Sequence, residues 1–565
     1  MTARLRTAAL VASLGVAFAA QDADACGCFA PPDPTVPIVQ AGERILFSVT
    51  NGVVNAHIQI QYAGDAKDFG WLLPLPSIPT LKLGTEELFT QLINTTQPRY
   101  FVQTTFTGTC AGGGFGGLAS PQAAGFANDS AGGGPERSGG FDPLVTQASI
   151  GPYDYAVLRA DRKDEMLQWL TDNRYFIPTG TEETVGPYIR PGAYFLALKL
   201  KSGKATGDIQ PVVLEYPSEL PMIPIILTSV AAQPNMGIQV WMLGEGRAIP
   251  RNYNHVVLND SQIDWLGRAQ NYNDVVIKAV GEASGKHAFI TEYAGASKVM
   301  VDVLDGPNRF GSLTDLAAIT DPAAYVQYLF SHGYAQASNN SGGFGFQPST
   351  LPPLLKALVL AQLPFPEGLK TVTTEDTFLQ QLDFYLGNYR AQHPEAFVGW
   401  TSSFDPPALT AQIEEKVVRP AREAGDLFRQ HGFLTRLYTT LSPEDMTSDP
   451  VFSFNPSLAE VSRDHTANLR IDCGLGGDPS TSPATLTTEQ GWVFQLPNRG
   501  TAIDVSRGPG ALRIETLGEE GSPVVLVDNG KAIANKMGCG CTSVDPLFGF
   551  GLVALLAARR RRQRS

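Results

Sequence analysis

Histidine and carboxylate side chains are the groups with which this chain of 565 residues could build a catalytic or metal site. No two of its seven histidines stand three to five residues apart, so neither an H-E-x-x-H motif nor a comparable metal pair occurs. The nucleophile motif G-x-S-x-G and a Walker phosphate loop are absent too. Isolated carboxylates such as Glu292 and Asp264 become catalytic only beside partners that a fold brings to them. The sequence therefore assigns no catalytic residue, no cofactor and no metal ligand.

Four cysteines in the body of the chain could form disulfides in an oxidising compartment. They are Cys26, Cys28, Cys110 and Cys473. The C-x-C spacing is too tight for a comfortable internal bridge, so we expect Cys26 and Cys28 each to bond to Cys110 or Cys473. Connectivity cannot be read from sequence and stays open. A zinc site is the alternative interpretation of the N-terminal pair, although no second spaced pair accompanies it.

Two segments resemble ligand-binding loops without completing the pattern. Gly112, Gly114 and Gly117 satisfy G-x-G-x-x-G, but a dinucleotide site needs a helix to follow, and here a proline and more glycines follow. Residues 108–140 hold twelve glycines, which predicts a flexible surface insertion. The stretch from Asp302 resembles a calcium loop, yet Leu304 occupies the third ligand position, which favours a solvated turn.

The elements that must position any site are mostly strands in residues 26–300. Alternation of polar and apolar residues around His57 predicts a strand in which this histidine is a half-buried packing residue. Strands joined largely without helices indicate an α+β fold with a large mixed or antiparallel sheet. The predicted strands are Arg44–Thr50, Val53–Tyr62, Phe69–Pro74, Tyr100–Thr107, Tyr194–Lys201, Val212–Tyr216, Ile225–Val230, Ile238–Leu243 and His255–Leu258, and the predicted helices are Thr85–Ile93, Asp161–Asn173 and Ser261–Glu282, with Ser261 as its cap.

Beyond residue 300 the pattern changes to helical periodicity and then back to strands. This predicts an α-rich region over residues 301–470 and a short β-rich tail over residues 471–537, in which Asn529-Gly530 is typical of a two-residue hairpin turn. The predicted helices are Asp315–His332, Pro352–Leu363, Thr374–Arg390 and Pro407–Gly432.

The N-terminus carries the pattern of a secretory signal peptide over residues 1–25. Arg4 and Arg6 precede a short apolar run, and an A-x-A motif ends at Ala25. We expect a Sec-type export machinery to translocate the chain and signal peptidase to cut between Ala25 and Cys26. A lipoprotein signal would make Cys26 the acylated residue, but the two residues before Ala25 do not fit that motif.

The C-terminal segment, residues 538–565, predicts a membrane anchor. Cys539 and Cys541 precede the apolar stretch Leu547–Ala558, and five arginines follow it. An arginine cluster stays on the cytoplasmic side, which places the upstream body outside the inner membrane. The order of cysteine motif, short helix and arginines resembles the MYXO-CTERM sorting signal. That resemblance implies cleavage by a myxosortase-like membrane protease near either cysteine, followed by retention at the cell surface or outer membrane; a plain tail anchor is the alternative.

Charge argues against a nucleic-acid partner. The formal charge of the chain is −13. The predicted signal peptide contributes zero and the segment after Cys541 contributes +4 (five Arg, one Asp), so residues 26–541 carry about −17. An acidic body of this kind repels phosphate backbones.

Several stretches along the chain resemble the bacterial family DUF2330, which implies an exported address and implies no activity. They are residues 41–45, 57–64, 69–76, 240–241 with 247–250, 291–295 and 434–438. Two hypotheses for the exported body follow. The first is a non-enzymatic binding or structural protein of the envelope, whose ligand the sequence does not identify. The alternative is an extracellular hydrolase whose two catalytic carboxylates, scattered in sequence, would meet roughly 5 to 9.5 Å apart in a cleft.

Overall fold

The structure is a computed structural model that describes residues 39–63, 69–110, 143–175, 182–204, 209–307, 309–337, 349–503, 505 and 508–536. The predictions on Ala25, Cys26, Cys28, Cys539 and Cys541 lie outside these residues, as do the predicted signal peptide, nearly all of the glycine-rich insertion and the anchor. No helix within the described ranges is long and apolar enough to cross a membrane.

Strands and helices alternate irregularly along the described chain. The strands are β1 (Val39–Thr50), β2 (Val53–Ala63), β3 (Gly70–Leu75), β4 (Thr80–Leu83), β5 (Arg99–Cys110), β6 (Leu144–Ile150), β7 (Tyr153–Arg159), β8 (Tyr194–Leu200), β9 (Val212–Pro217), β10 (Ala232–Gly244), β11 (Arg247–Pro250), β12 (Asn254–Leu258), β13 (Ala288–Ala296), β14 (Gln336–Ala337), β15 (Ser349–Thr350), β16 (Phe433–Leu441), β17 (Phe452–Asn455), β18 (Asp464–Gly477), β19 (Ala484–Thr487), β20 (Val493–Leu496), β21 (Ala511–Thr516) and β22 (Val524–Asp528). The helices are α1 (Glu86–Thr96), α2 (Lys163–Asp172), α3 (Ile225–Thr228), α4 (Tyr272–Gly281), α5 (Lys298–Asp305), α6 (Leu313–Ala318), α7 (Pro322–Ser331), α8 (Pro353–Gln362), α9 (Glu375–Gln380), α10 (Leu382–Phe384), α11 (Arg390–Gln392), α12 (Pro406–Ile413), α13 (Arg419–Gln430) and α14 (Gly530–Lys536).

A mixed sheet of ten described strands forms the centre of the fold, which confirms the predicted α+β class. Its strand order is β22-β21-β12-β13-β16-β10-β1-β2-β9-β4. The β1–β10 and β12–β13 pairs are parallel, and the other pairs are antiparallel. Strands β16 and β21 lie far beyond residue 300 yet sit among strands that precede it. The domain boundaries proposed from the sequence stay predictions.

Alternation along β1 assigns its side chains to two different layers. Ile45 and Phe47 point to one face and pack against the antiparallel sheet β3-β8-β7-β6, where Trp71 and Leu196 belong to the same core. Leu46 points to the other face, which helices α1, α5 and α13 cover. These helices cover only the apolar half of that face, and the polar half is left open to a cavity.

A separate apolar core holds helices α6 to α10 and α12 together, with residues such as Leu316, Tyr325, Leu355 and Phe378 at its centre. The start of α13 contributes Ala421 to this core. Its later residues belong to the helical layer over the central sheet. Helix α13 therefore connects the α-rich region to the sheet.

A second four-stranded sheet, β20-β19-β18-β5, packs on the segment that leads into α4. The disulfide Cys110–Cys473, with Cα atoms 5.1 Å apart, links its parallel strands β5 and β18. The expected bonds from each of these cysteines to Cys26 or Cys28 are therefore wrong. Strand pairing brings together two cysteines that are 363 residues apart, which local spacing could not indicate.

Two local predictions are wrong for reasons visible in the structure. Ile225–Val230 is not a strand, since its first residues form the short helix α3, and a short apolar run cannot by itself distinguish the two. Ser261–Glu282 is not one helix, because Arg268 and Ala269 adopt positive φ angles and α4 begins only at Tyr272. A short 3-10 helix, Asp260–Gln262, stands at the start of this segment instead. Its cap is Asn259, whose side chain accepts a hydrogen bond from the backbone N–H of Ser261.

The predicted hairpin at Asn529-Gly530 is also wrong, because the chain enters helix α14 there instead of a strand. The Asp528 carboxylate accepts a hydrogen bond from the Gly530 backbone N–H at 2.8 Å. Ile533 is then buried at 2% exposure. Burial of one side of this turn therefore outweighs the local hairpin signal.

Candidate functional site

A row of four polar side chains crosses the open half of the central sheet. Arg44 on β1 pairs in register with Gln59 on β2 and with Gln239 on β10, which in turn pairs with Tyr438 on β16. Directly paired residues on neighbouring strands point to the same face. Arg44, Gln239 and Tyr438 line a cavity of about 670 Å³, which we call the arginine cavity.

Two glycines make the floor of the arginine cavity. Gly42 and Gly237 face each other across β1 and β10. A Cβ atom at Gly42 would lie 2.4 Å from Oε1 of Gln61, and one at Gly237 would lie 3.0 Å from the Tyr438 hydroxyl oxygen. The glycines therefore give these polar side chains room to lie across the sheet. A glycine inside a strand often marks a place where another group approaches the backbone closely, and this signal is visible in the sequence itself.

A buried ion pair forms one wall of this cavity. Arg436 Nε donates to Glu292 Oε2 at 2.5 Å, and both side chains are under 10% exposed. The Tyr272 hydroxyl donates to the other carboxylate oxygen of Glu292 at 2.6 Å. The Arg436 guanidinium also lies over the Trp241 ring, 5.4 Å from its centroid. Both oxygens of Glu292 are therefore satisfied, which is the condition for a stable buried charge.

Guanidinium groups outnumber charged carboxylates around the arginine cavity. Its charged side chains are Arg44, Arg99, Arg268 and Arg436 against Glu292. The side chain of Glu43, which also borders the cavity, points to the opposite face with its register partners Ile60 and Ile238. Burial, with a further contribution from nearby Asp449, raises the pKa of Glu43 to about 8, so this group is mostly uncharged at neutral pH. Since Glu292 is paired with Arg436, the remaining charge of the cavity is positive.

Arg44 has the guanidinium best placed to meet a ligand. Its Nη1 donates to the uncharged side-chain oxygen of Gln59 at 3.0 Å. Burial lowers the pKa of Arg44, but an arginine stays protonated. Arg99, by contrast, makes a two-point ion pair with Asp464 at 2.7 and 2.9 Å. Arg44 has a charge neighbour in Glu86, whose carboxylate accepts a hydrogen bond from the Gln59 side chain. An anionic group in the cavity would be a second charge partner for Arg44.

A second cavity of about 660 Å³, which we call the histidine cavity, adjoins the first. Pro98, Tyr100, Tyr272 and Glu292 line both and form a partition. The Tyr100 ring packs edge-on against Trp265, with centroids 5.1 Å apart, and stacks on His465 at 4.8 Å. The partition is therefore well packed. Its Tyr100 lies on β5 of the four-stranded sheet β20-β19-β18-β5, and its Glu292 lies on β13 of the central sheet.

A chain of polar contacts runs along the histidine cavity from β13 to β21. The Thr291 hydroxyl lies 3.0 Å from His255 Nε2, and His255 Nδ1 lies 2.9 Å from Glu515 Oε1. His255 and Glu515 are paired in register on β12 and β21. Arg247 Nη2 reaches both His255 Nε2, at 3.1 Å, and the Thr291 hydroxyl, at 2.9 Å. The four side chains in contact therefore come from four different strands, β11, β12, β13 and β21.

Burial decides the protonation states in this chain. Burial lowers the pKa of His255, and the nearby Arg247 charge acts in the same direction, against the hydrogen bond to Glu515. For Glu515, burial acts to raise the pKa, but the contact with His255 and the neighbouring arginines outweigh it and the pKa lies below its usual range. At neutral pH the pair is therefore a neutral imidazole beside a carboxylate.

Carboxylates predominate around the rest of the histidine cavity. Apart from Glu292, whose charge Arg436 balances, the charged groups are Asp260, Glu489 and Glu515 against Arg247 and Arg513. Burial raises the pKa of Asp260 to about 6, although it accepts hydrogen bonds from the Thr488 hydroxyl and the Gln490 backbone. The two cavities thus differ in sign.

The structure separates the carboxylates singled out from the sequence. Glu292 lies in the partition between the cavities, whereas Asp264 accepts a hydrogen bond from the Gly267 backbone at 2.9 Å and stabilises a turn. His57 is half buried on β2. Among the residues described, no three His, Cys, Asp or Glu side chains are grouped so that they could hold a metal ion.

Sequence reasoning missed the residues that the two cavities use. Arg44, Arg247, Thr291 and Arg436 belong to no local motif, and each meets its partners only through contacts between strands that the tertiary fold brings together. A signal was present nevertheless. All but one of the stretches that resemble the family contribute side chains to the cavities, the exception being residues 69–76.

Comparison with known proteins agrees with that signal. A family model described as an uncharacterized protein conserved in bacteria, DUF2330, matches residues 21–347. No curated protein and no solved structure matches. The matched range includes Arg44, Arg247, His255 and Thr291, while Glu515 lies beyond it. Because the match covers more than half of the sequence, this chain belongs to the DUF2330 family.

Proposed function

We propose that this chain is an exported, surface-anchored binding protein that takes up an acidic saccharide in the arginine cavity. The observation that carries the proposal is Arg44, a half-buried guanidinium that lines a 670 Å³ cavity and donates to an amide. The cavity has the size of a small-molecule site. A carboxylate or sulfate group of a ligand would give Arg44 a charge-assisted hydrogen bond in addition to its interaction with Glu86.

The remaining lining supports a saccharide over a simple inorganic anion. Side-chain amides both donate and accept hydrogen bonds and therefore match sugar hydroxyl groups, while tyrosine rings match the apolar faces of sugars. The cavity offers both: its amides are Gln61, Gln97, Asn235, Gln239 and Asn273, and its tyrosines are Tyr100, Tyr272 and Tyr438.

The address of the protein is part of the proposal and is supported by its sequence ends. The signal peptide implies passage through a Sec-type machinery and cleavage by signal peptidase between Ala25 and Cys26. The anchor implies an inner-membrane intermediate that a myxosortase-like protease releases near Cys539 or Cys541, leaving the body at the cell surface. An acidic saccharide of the envelope would be within reach there.

Calorimetric titration of the mature body with acidic and neutral oligosaccharides tests the binding function. We expect uronic-acid or sulfated oligosaccharides to bind and neutral ones of equal length to bind more weakly. Arg44→Gln removes the charge and should weaken the binding of acidic ligands roughly 10- to 150-fold, because a hydrogen bond to a charged group is worth about 1.5 to 3 kcal/mol.

The matched control is Arg159→Gln, an exposed arginine on β7 that lines neither cavity. It should bind like the wild type. Equal affinity for acidic and neutral ligands, or an unchanged affinity in Arg44→Gln, would show that the arginine cavity is not the binding site.

The predicted processing of the tail has a separate test. Replacing both Cys539 and Cys541 by Ala should leave the full-length, arginine-tailed form in the inner membrane. The apolar stretch spans only about 18 Å, short of a hydrocarbon core of roughly 30 Å, which suits a processing intermediate better than a permanent anchor. Fractionation and mass spectrometry decide: wild-type mass and surface display of this variant would mean that the tail is a plain anchor.

The alternative of a hydrolase that uses paired carboxylates has less support. Glu292 is engaged by both Arg436 and Tyr272, and Glu515 is engaged by His255. A glycoside hydrolase needs one carboxyl group free to donate a proton and a second free to attack or to activate water.

A further inference from the structure

We propose that Thr291 in the histidine cavity is a nucleophile, activated by His255, that hydrolyses uncharged carboxylic esters. This activity is independent of the saccharide binding proposed above. Thr291, His255 and Glu515 stand in the order nucleophile, base and orienting carboxylate, with contacts of 3.0 Å and 2.9 Å. That order is the arrangement by which hydroxyl nucleophiles are activated on unrelated folds.

The hydrogen-bond donors around His255 determine which ring nitrogen can act as a base. Arg247 can only donate, so the His255 Nε2 atom that it contacts at 3.1 Å must be unprotonated. The proton of the neutral ring therefore resides on Nδ1 and is donated to Glu515. The lone pair of Nε2 is shared between the Arg247 N–H and the Thr291 hydroxyl, which lies 3.0 Å away, and this is the tautomer that a general base requires.

Thr291 is the accessible member of the group. Arg247, His255 and Glu515 are each buried to 8% exposure or less, whereas Thr291 is half buried, and all four line the 660 Å³ cavity. A substrate can therefore approach the hydroxyl while the base and its carboxylate stay shielded from water. Shielding strengthens the electrostatic contacts that hold the imidazole in place.

Arg247 has two opposing effects on the reaction. Its charge disfavours the imidazolium that forms when His255 accepts a proton, and the Glu515 carboxylate offsets this. Its Nη2 donates to the Thr291 oxygen at 2.9 Å, so it stabilises negative charge on that oxygen as the proton leaves. Arg247 is therefore a positioning residue that favours the alkoxide form of Thr291.

Charge and shape select the substrate class. Apart from Glu292, which is paired with Arg436, three carboxyl groups against two guanidinium groups line the cavity, which disfavours phosphate esters and other anionic substrates. Apolar side chains supply a surface on which a short acyl group can pack: Val256, Ile263, Ile290, Leu458 and Val461. An uncharged ester with a small acyl group, such as an O-acetylated sugar, fits these conditions.

The reaction balances without a cofactor. The Thr291 oxygen attacks the ester carbonyl while His255 Nε2 takes the hydroxyl proton, and the tetrahedral intermediate expels the alcohol, which receives that proton. Water then attacks the acyl-threonine ester, giving up a proton to Nε2. Collapse of the second intermediate releases the carboxylic acid and returns the proton to Thr291.

Intact-mass spectrometry of the mature body after incubation with p-nitrophenyl acetate tests the proposal. We expect an increase of one acetyl group, located on Thr291 by peptide mapping, together with release of p-nitrophenol. Thr291→Val preserves the shape of the side chain and should lose the adduct completely. Thr291→Ser should retain it, and Thr487→Val, a half-buried threonine on β19 outside both cavities, should behave like the wild type.

His255→Asn should acylate roughly 100-fold more slowly, the lower range of what a general base contributes. Circular dichroism confirms that each variant is folded, and the Thr291→Ser result keeps the proposal testable if the histidine variant does not fold. Equal p-nitrophenol release by wild type and Thr291→Val, without an adduct on Thr291, would overturn the proposal. The polar contacts around His255 would then have only a structural role. Saccharide affinity, measured in parallel, reports on the arginine cavity alone.

Discussion

The two cavities share a partition but differ in charge, in protonation and in the chemistry they allow. Beside the arginine cavity, on the opposite face of β1 from Arg44, burial raises the pKa of Glu43 to about 8, so that this carboxyl adds little negative charge near Arg44. In the histidine cavity Glu515 stays ionised because His255 and two arginines surround it. Burial acts to raise the pKa of both carboxyl groups, but His255 and the arginines beside Glu515 outweigh it there.

The largest expected effect comes from breaking the Arg436–Glu292 ion pair in the partition between the two cavities. Arg436→Met should lower the free energy of unfolding by about 3 to 5 kcal/mol, because it leaves Glu292 buried without its cation. Urea unfolding measures the loss. The double variant Arg436→Met/Glu292→Leu should recover most of it, since both charges are then removed. Failure of the double variant to recover would mean that the pair stabilises the fold beyond charge compensation.

The glycine floor should affect the arginine cavity and leave the histidine cavity unchanged. Gly237→Ala places a methyl group about 3.0 Å from the Tyr438 hydroxyl oxygen. We expect a loss of about 1 to 3 kcal/mol in stability from overpacking. Saccharide affinity should fall with it, whereas acylation of Thr291 should not change. Gly281→Ala, in helix α4 where an added Cβ would meet nothing within 4 Å, is the control and should keep the affinity.

A pH dependence of stability is expected from Glu43. Its pKa is about 8 in the folded chain, against an ordinary value of 4.5 in the unfolded one. The folded state therefore holds a proton that the unfolded state has lost, and stability falls as pH rises from about 4.5 to about 8, by at most about 1.4 kcal/mol per pH unit.

Unfolding of Glu43→Gln across this range provides the comparison, since glutamine keeps the uncharged form at every pH. The slope should be shallower in the variant than in the wild type. Parallel slopes would mean that Glu43 does not keep its proton in the folded chain.

Much of the fold could be predicted from local patterns. Alternation in β1 and β2 and the period of α1 and α2 need no distant partner, and the structure confirms these elements. The failures at α3, at the start of α4 and at α14 have one cause in common. Each depends on burial or a positive φ that neighbouring layers impose, and a local window of sequence does not contain those layers.

By itself the sequence determined the α+β class, the family and the glycines that make room in the strands, because periodicity and residue type act locally. Only the tertiary structure decided which side chains meet. Arg44, Gln239 and Tyr438 are distant in sequence, as are His255, Thr291 and Glu515. The physical reason is that register in a sheet is set by burying one whole face, so the polar partners on the other face come together as its consequence.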